Sequence, residues 1–230
     1  MKKDPDDHFA SDQPTTGRPD TRRRRNAHGR TTNARQALIE SAIGNFAAKG
    51  FAGARVDEIS AEAGVNKQLV YHYFSSKQGL YQAALEQVYV EIRAKEKALS
   101  LEAMDPRTAM QQLVGFSFDY LQDHPEFIAL LEDENRNRGR YILESDELRS
   151  MHSPFIQMLQ ETLDRGVHDG QFPPGYDAIH LYISIAGISY FFFSNNHTLS
   201  AIFGQPLDTA EARAKRRAHV IAFVMNALRP

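Results

Sequence analysis

The sequence predicts an all-α protein, and the spacing of its apolar residues carries that prediction. Leu38, Ala42 and Phe46 lie four residues apart, and similar helical stripes recur along most of the chain. Valine, isoleucine and threonine do not alternate with polar residues over any useful length, so the sequence predicts no strand. Apolar residues (42%) and charged residues (24%) are close to globular averages, which excludes a wholly disordered chain.

The composition also excludes several classes of function. The 230 residues include no cysteine, which excludes disulfides, thiolate zinc sites, iron–sulfur clusters and a cysteine nucleophile. No His-Glu-x-x-His, Gly-x-Ser-x-Gly or Walker-type sequence occurs, and no close pair among the nine histidines has ligand spacing. The sequence therefore predicts no metal, no cofactor and no enzymatic activity.

We expect a cytoplasmic protein that does not cross a membrane. The first 31 residues contain no apolar segment of the kind found in signal peptides. The longest apolar stretch, Ala178–Phe193, is shorter than the roughly 20 residues that a bilayer requires, so it is interpreted as a buried helix.

The net charge of −2 is unevenly distributed. Residues 1–80 contain 13 Lys and Arg against 9 Asp and Glu, whereas residues 81–230 contain 14 against 20. A basic first third indicates that this part binds a polyanion. The run Arg22–Arg25 predicts a disordered basic arm over residues 1–31. This arm either contacts phosphates or a minor groove, or it is a solvated tail.

Residues 32–78 are predicted to form three helices. Gly50 suits the end of the first, the second covers Val56–Ala63, and the third covers Val65–Phe74. A tight turn at Gly64 between the second and third gives a helix-turn-helix pattern. We therefore expect an N-terminal three-helix domain over residues 32–78.

The remaining residues, 79–230, are predicted to form a second helical domain. Proline and glycine mark most of the breaks between its elements. The predicted helices are Ser76–Ala103, Pro106 to about His124, Glu126–Asn137, residues 146–167, Asp177–Ser194 and Thr209–Leu228.

The outward face of the third predicted helix carries side chains suited to a major groove. Gln68 can pair bidentately with adenine, Lys67 can donate to guanine or phosphate, and Leu69 can contact a thymine methyl group. Tyr71 and His72 can donate to phosphates. The sequence therefore predicts that this face binds double-stranded DNA.

Two further residues near this helix are candidate contacts. Asn66 is a suitable N-cap for the third helix. Lys77 begins the next helix, where the helix dipole disfavours a cation unless a phosphate lies nearby. The alternative is that Lys77 is an ordinary exposed lysine. The inward face of the third helix is predicted to carry Val70, Tyr73 and Phe74, packed against Phe46 and Ile59.

Residues Ala42–Leu85 resemble the DNA-binding domain of the tetracycline-repressor (TetR) family of bacterial transcription regulators. The matching segments are Phe46-Ala47-Ala48-Lys49-Gly50-Phe51, Val56-Asp57-Glu58-Ile59-Ser60-Ala61-Glu62-Ala63-Gly64-Val65 and Tyr71-His72-Tyr73-Phe74-Ser75-Ser76-Lys77-Gln78-Gly79-Leu80. The resemblance implies a C-terminal helical domain that binds a small molecule and dimerises through its last two helices. It implies a ligand-responsive regulator, expected to be a repressor released from a palindromic operator by its effector. The alternatives are an activator of the same fold and a non-regulatory DNA-binding protein.

The sequence departs from the family pattern at three positions. Arg55 stands where the family usually has a capping Ser or Thr that touches phosphate, and it is expected to make that contact by charge. Leu69 replaces a commonly small residue, which leaves the operator sequence open. Gly79 replaces a frequent Glu and weakens the capping box at Ser76.

The effector site is predicted from polar or aromatic side chains that interrupt inward-facing stripes. Asn135, for example, continues the stripe of Ile128 and Leu131 with a polar group. The alternative is a core whose polar residues are satisfied, and Arg136 or Arg138 could instead meet an acidic ligand. The expected effector is an aromatic or heteroaromatic carboxylate, with fatty acyl compounds as the rival class. The candidate residues are Phe116, Tyr120, Glu134, Asn135, Phe155 and Met158.

The last two predicted helices are the candidates for a homodimer interface. Asp177–Ser194 is apolar nearly all round, which is typical of a helix buried on every side, and Ser184 and Gly187 would allow another helix to approach closely. Four such helices from two chains would form a bundle. A two-fold dimer would place two recognition helices about 34–36 Å apart, facing successive major grooves.

Overall fold

A computed structural model describes residues 21–151 and 153–230, with side chains for residues 33–151 and 154–230. These residues form helices and no strand, which confirms the all-α prediction. A 3-10 turn at Leu101–Ala103 follows the fourth helix. The helices are α1 (Thr21–Gly53), α2 (Val56–Glu62), α3 (Gln68–Phe74), α4 (Lys77–Ala98), α5 (Pro106–Asp123), α6 (Pro125–Arg136), α7 (Arg140–Leu143), α8 (Asp146–Ser150), α9 (Ser153–His168), α10 (Ala178–Phe203) and α11 (Ala210–Ala227).

The described residues divide into two units at Asn33, and residues 34–230 form one of them. Residues 1–20, most of the predicted disordered arm, lie outside the described residues. Residues 21–31 differ from that prediction, because their backbone is helical and belongs to α1. Arginine is a good helix former, and a helix spreads successive charged side chains around its axis, so a run of arginines does not by itself prevent a helix.

The helix-turn-helix head has the predicted core. Val70 is fully buried, Phe74 is buried and Tyr73 is half-buried, and they pack in the same cluster as Phe46 and Ile59. This arrangement leaves the opposite face of α3 toward solvent.

Gly50 ends the regular part of α1, as the sequence predicts. Its φ of 66° and ψ of 172° lie outside the helical region, and a positive φ favours glycine. A Cβ at this position would lie 2.7 Å from Oδ1 of Asp133 on α6. Glycine at position 50 thus permits both the break in α1 and a close approach of α6.

The start of α4 explains the departure from the family pattern at Gly79. The Ser76 hydroxyl caps α4 by accepting a hydrogen bond from the Gly79 N–H at 3.0 Å. A Cβ at Gly79 would lie 2.0 Å from the carbonyl oxygen of Phe74, so no other residue fits without a backbone shift. The close packing of α3 on α4 therefore excludes the glutamate that would complete a capping box.

Three predicted helix limits in the second domain are wrong. α4 ends at Ala98 rather than Ala103, because Ser100 adopts a left-handed conformation with φ of 51°. The helix predicted over residues 146–167 is two helices, α8 and α9, and Pro154 lies in the first turn of α9, where a missing N–H is tolerated. α10 continues past Ser194 to Phe203, since the polar residues there do not break a helix and Gly204 does.

α5 is the centre of the second domain and packs against α9, α10 and α11. The core between these helices includes Leu113 and Phe118 from α5, Leu159 from α9, Ile185 from α10 and Val224 from α11.

A separate cluster crosses the predicted limit between the domains at residue 78. It joins Phe46 and Val70 of the head to Leu85 on α4, Phe127 on α6 and Tyr141 on α7. The head therefore shares apolar core with the helices that follow it, and the predicted domain limits stay a prediction.

By length and composition, α10 is one helix of the described residues that could cross a membrane. The predicted helix Asp177–Ser194 is too short, because α10 has 26 residues, and length therefore does not exclude a membrane span. Its buried side packs into the core of the second domain through Leu181, Ile185 and Phe192. A helix of this composition is equally typical of a protein core.

Candidate DNA interface and effector site

The outward face of α3 is largely solvent-exposed. Gln68 and His72 are exposed, and Tyr71 is 50% exposed, although it is a large aromatic residue. Leu69 differs from expectation, because it is half-buried and packs against the core of the head. The structure therefore brings three of the predicted helix contacts together on an open surface and turns Leu69 partly inward.

Two predicted contacts at the start of α3 make bonds within the head. The Asn66 side-chain oxygen accepts a hydrogen bond from the Gln68 N–H at 2.8 Å, although Lys67 is the residue that directly precedes α3. The Lys67 ammonium lies 2.5 Å from the Asp57 carboxylate on α2. This contact raises the pKa of Lys67 and lowers the pKa of Asp57. Lys67 therefore ties α3 to α2, and a base or phosphate would share its ammonium with Asp57.

The two predicted contacts outside α3 differ in their surroundings. Arg55 is exposed and directly precedes α2, without a side-chain cap. Lys77 is half-buried, with its ammonium 4.8 Å from the Phe51 ring centroid and 3.4 Å from the Ala52 carbonyl oxygen. Burial lowers the pKa of Lys77, and the charge of Asp133 opposes that shift. The end of α1 thus provides a second explanation for a lysine at the start of α4.

A buried carboxylate that the sequence did not predict joins the head to α6. Asp133 accepts hydrogen bonds from the Phe51 N–H at 2.8 Å and from the Tyr81 hydroxyl at 3.1 Å. Arg136 donates to its other oxygen at 3.0 Å. Burial and the Asp133 charge together raise the pKa of Tyr81. The acidic run around Asp133 gives no sequence signal that distinguishes this residue from its exposed neighbours.

The six predicted effector residues do not lie in one core. Phe116 and Tyr120 belong to the cluster that includes the head, with ring centroids 5.7 Å apart. Phe155 and Met158 belong to the cluster between α5, α9, α10 and α11. Tyr120 also stacks on His124 at 4.2 Å. The four apolar candidates are thus core residues of two neighbouring clusters.

The two polar candidates have local explanations. Glu134 is buried, and one of its oxygens accepts the N–H groups of Tyr141 and Ile142 at 2.8 and 3.1 Å, which caps α7. The expectation that Asn135 extends an inward stripe is wrong, because Asn135 is exposed and its amide donates to the Leu131 carbonyl. The inward position on this turn of α6 belongs to Glu134.

Arg93 and Glu96 on α4 are a buried pair that the sequence analysis missed. Their side chains are 11% and 4% exposed, and Arg93 Nη1 lies 2.8 Å from Glu96 Oε2. Burial raises the pKa of Glu96 to about 7, against the opposing charge of Arg93. A signal was present, because Val88, Ile92 and Glu96 lie four residues apart on one inward stripe.

An open groove of about 770 Å³ lies between the end of α10 and the start of α11. It is lined mainly by apolar side chains such as Phe191, Phe203 and Leu207, with Lys215 and Arg216 beside them. None of the six predicted effector residues lines it. Over the residues with described side chains, 33–151 and 154–230, no group of three or more His, Asp or Glu could hold a metal ion.

The fold and this surface define a helical DNA-binding regulator with a helix-turn-helix head. The family model for bacterial regulatory proteins of the tetR family matches residues 38–84, and the model for the tetracyclin repressor-like C-terminal domain matches residues 106–224. The chain belongs to the TetR family of bacterial transcription regulators, which confirms the resemblance seen in the sequence.

Two curated relatives are named as transcriptional repressors. The chain is 34% identical over 180 residues to the HTH-type transcriptional repressor NicS of Pseudomonas putida, which is 78% of this chain and 85% of the relative. It is 32% identical over 150 residues to the repressor SCO4008 of Streptomyces coelicolor, which is 65% of this chain and 74% of the relative.

Solved structures share the fold. The fatty acid degradation regulator FadR from Bacillus halodurans superposes with a TM-score of 0.67 at 19% identity, covering 85% of this chain and 96% of that one. The FadR of Bacillus subtilis, solved with stearoyl-CoA, gives a TM-score of 0.61 at 14% identity, covering 84% and 98%.

Proposed function

We propose that the protein is a cytoplasmic homodimeric repressor that binds a palindromic operator and leaves it when a small molecule binds the second domain. Each protomer inserts α3 into a major groove, and Gln68 reads bases while Tyr71, His72 and Arg55 contact phosphates. The surface also includes Asn66, Lys67, Leu69 and Lys77, which make the contacts within the protein described above. Both NicS and SCO4008 are named as repressors, which supports repression rather than activation.

The single observation that carries the proposal is the division of α3 into two faces. Val70 and Phe74 are buried in the head, while Gln68, Tyr71 and His72 point to solvent from the same seven-residue helix. Half of the Tyr71 side chain is open to solvent, and it lies beside the exposed Gln68 and His72. These side chains match the hydrogen-bonding groups that a major groove presents.

The homodimer is supported by an exposed apolar stripe on α10. Ile179, Ile183 and Phe191 lie on one side of the helix and are 53%, 57% and 56% exposed. Gly187 lies in the middle of the stripe, and a Cβ there would meet no atom of the described residues within 4 Å. A glycine in this place is explained by a second helix that crosses α10 closely. Exposed apolar patches of this kind mark interfaces.

The release step follows from α4, which connects the head to the second domain. We propose that the effector favours a state in which α4 is tilted and the two heads no longer match successive major grooves. An effector shifts this equilibrium only by its preference for that state. The stearoyl-CoA complex of Bacillus subtilis FadR supports binding of a small molecule by a protein of this fold.

The experiment starts from a duplex selected from a random-sequence pool by the full-length protein. We expect Gln68→Ala to bind this duplex more weakly and to lose about 1–3 kcal/mol of discrimination at one base position in each half-site. The exposed Gln112→Ala on α5 is the matched control and should change neither value. Fluorescence anisotropy with single-base variants of the duplex measures the affinity for the duplex and the discrimination between bases. Selection of no preferred duplex, or unchanged discrimination in Gln68→Ala, would contradict the assigned role.

A reporter gene under the selected duplex determines the sign of the regulation. Lower output in the presence of the protein supports a repressor. Higher output supports the activator alternative, and equal output supports a non-regulatory DNA-binding protein.

A further inference from the structure

We propose that Arg93 anchors the effector and that the effector is an organic carboxylate with an apolar body. The inference rests on the proposed function, because it names the chemical class that the second domain binds. The proposed anchor lies where Arg93 on α4 meets Phe155 on α9, and Arg93 does not line the groove between α10 and α11.

The guanidinium of Arg93 is buried and forms an ion pair with Glu96, but it makes no hydrogen bond within the described residues. Its three nitrogens are buried, and within the described residues none of them has a hydrogen-bond partner. A guanidinium offers five N–H donors and no acceptor. Leaving these N–H donors without hydrogen bonds inside a protein costs free energy, which points to a hydrogen-bond partner that arrives from outside the chain. A carboxylate is the partner that matches the planar fork of arginine.

Glu96 does not supply the hydrogen bonds that the Arg93 guanidinium lacks. Its Oε2 atom lies 2.8 Å from Arg93 Nη1, but the two groups are not aligned for a hydrogen bond, and Oε2 has no other partner among the described residues. Burial also raises the pKa of Glu96, so this carboxyl group is a weaker counter-charge for Arg93 than an exposed carboxylate would be. The pair therefore retains positive charge that a ligand carboxylate can neutralise.

The surroundings of Arg93 select an apolar ligand body. The guanidinium carbon lies 4.6 Å from the ring centroid of Phe155 on α9. Phe155 packs edge-on against Tyr182 of α10 at 5.4 Å, and both belong to an apolar cluster. A carboxylate in the plane of the guanidinium would direct the rest of the ligand along these rings. Phe155 was also predicted from the sequence to line the effector site.

The position of Arg93 on α4 links effector binding to DNA binding. Arg93 lies near the C-terminal end of α4, and the N-terminal end of the same helix packs on α3. A ligand held between α4 and α9 would displace one end of a continuous 22-residue helix. The N-terminal end of α4 packs on the recognition helix α3. Binding at Arg93 therefore changes the orientation of α3 through α4 alone.

The first experiment compares acids with their uncharged amides on the wild-type protein. The probes are benzoate, pyridine-3-carboxylate and octanoate, each paired with benzamide, pyridine-3-carboxamide or octanamide. We expect at least one acid to raise the melting temperature and to bind in calorimetry at least about tenfold more tightly than its amide, because only the acid forms a charge-assisted pair with Arg93. The aromatic and aliphatic acids distinguish the two effector classes. If no acid binds more tightly than its amide, the inference is overturned.

The second experiment uses variants of the guanidinium. Arg93→Met should lose at least about tenfold in affinity for the acid and little for the amide, and Arg93→Lys should lose affinity for the acid while keeping the charge. The exposed Arg138→Met is the matched control, because Arg138 is the rival anchor for an acidic ligand. Circular dichroism verifies folding, and Arg93→Lys keeps the test valid if Arg93→Met does not fold. Wild-type affinity in Arg93→Lys, or a loss confined to Arg138→Met, overturns the inference.

Operator binding is measured in parallel to separate this inference from the proposed function. If the wild-type protein binds its selected duplex and no acid displaces it, the carboxylate site is wrong and the regulator stands. If the ligand-free protein selects no duplex, the proposed function itself is wrong.

Discussion

At the scale of single residues, the buried Arg93–Glu96 pair is the least expected feature of the chain. An ion pair inside a protein loses solvation that its mutual attraction often does not recover. Here the guanidinium also rests on the Phe155 ring at 4.6 Å, which compensates part of that loss. The carboxylate ligand proposed above would give the guanidinium the hydrogen bonds that it lacks in the described residues.

The raised pKa of Glu96 predicts how stability depends on pH. Burial raises the pKa of Glu96 from 4.5 to about 7, so the folded state holds a proton that the unfolded state releases between these values. The free energy of unfolding should therefore fall as pH rises from about 4.5 to 7, by up to about 3 kcal/mol from this group.

Urea unfolding of the wild-type protein and Glu96→Gln across this pH range measures the effect. The difference between the two proteins should change with pH, because the amide of the variant does not titrate. The exposed Glu102→Gln serves as the control and should follow the wild-type protein. A wild-type curve parallel to that of Glu96→Gln would show that Glu96 titrates normally.

At the scale of elements, Asp133 is the polar joint between the head and the second domain. It accepts the Phe51 N–H at the end of α1 and the Tyr81 hydroxyl of α4, and it lies on α6. Gly50 admits this carboxylate, since a Cβ there would lie 2.7 Å from Asp133 Oδ1. Three helices thus meet at one side chain, and movement of α6 relative to α1 requires that these bonds break.

We predict that Asp133→Asn lowers the free energy of unfolding by about 1–3 kcal/mol. The amide keeps one acceptor oxygen but replaces the other with a donor, so the variant side chain cannot satisfy the Phe51 N–H, the Tyr81 hydroxyl and Arg136 together. Urea unfolding gives the value, and the exposed Asp123→Asn on α5 is the control with an expected change below about 0.5 kcal/mol. Equal stability of the two variants would mean that the joint contributes no net free energy.

At the scale of the whole molecule, the unexplained surface is the apolar side of α10. One side of this helix fills the core through Leu181 and Ile185, while Ile183 and Phe191 on another side are more than half exposed. One protomer therefore leaves apolar area in water that a second copy can cover. Two heads on one dimer are also what a palindromic operator requires.

We predict that Ile183→Glu converts the protein from a dimer to a monomer and weakens operator binding by at least about 30-fold, because a charge in the centre of an apolar interface is not desolvated favourably. Size-exclusion chromatography with light scattering measures the mass, and anisotropy measures the affinity. Leu143→Glu introduces the same charge at an exposed leucine of α7 and should change neither. A dimeric Ile183→Glu would place the interface elsewhere.

The sequence alone determined the fold class, the helix-turn-helix pattern and the buried face of α3. These follow from local spacing: Val70 and Phe74 are four residues apart, so they must share a face wherever the helix lies. Spacing was less informative at helix ends. α4 ends early because Ser100 turns left-handed, and α10 continues to Phe203 because nothing before Gly204 breaks it.

Only the tertiary structure decided which polar side chains are buried and what they bind. Asp133 and Asn135 are two residues apart in one acidic segment, yet one is a buried joint and the other is exposed, because the end of α1 approaches Asp133 at Gly50 and Phe51. Lys77 and Lys67 were predicted to meet DNA, and the fold supplies each with a partner from another part of the chain. Burial and hydrogen bonding depend on which elements meet, and helical periodicity specifies a face without specifying what will cover it.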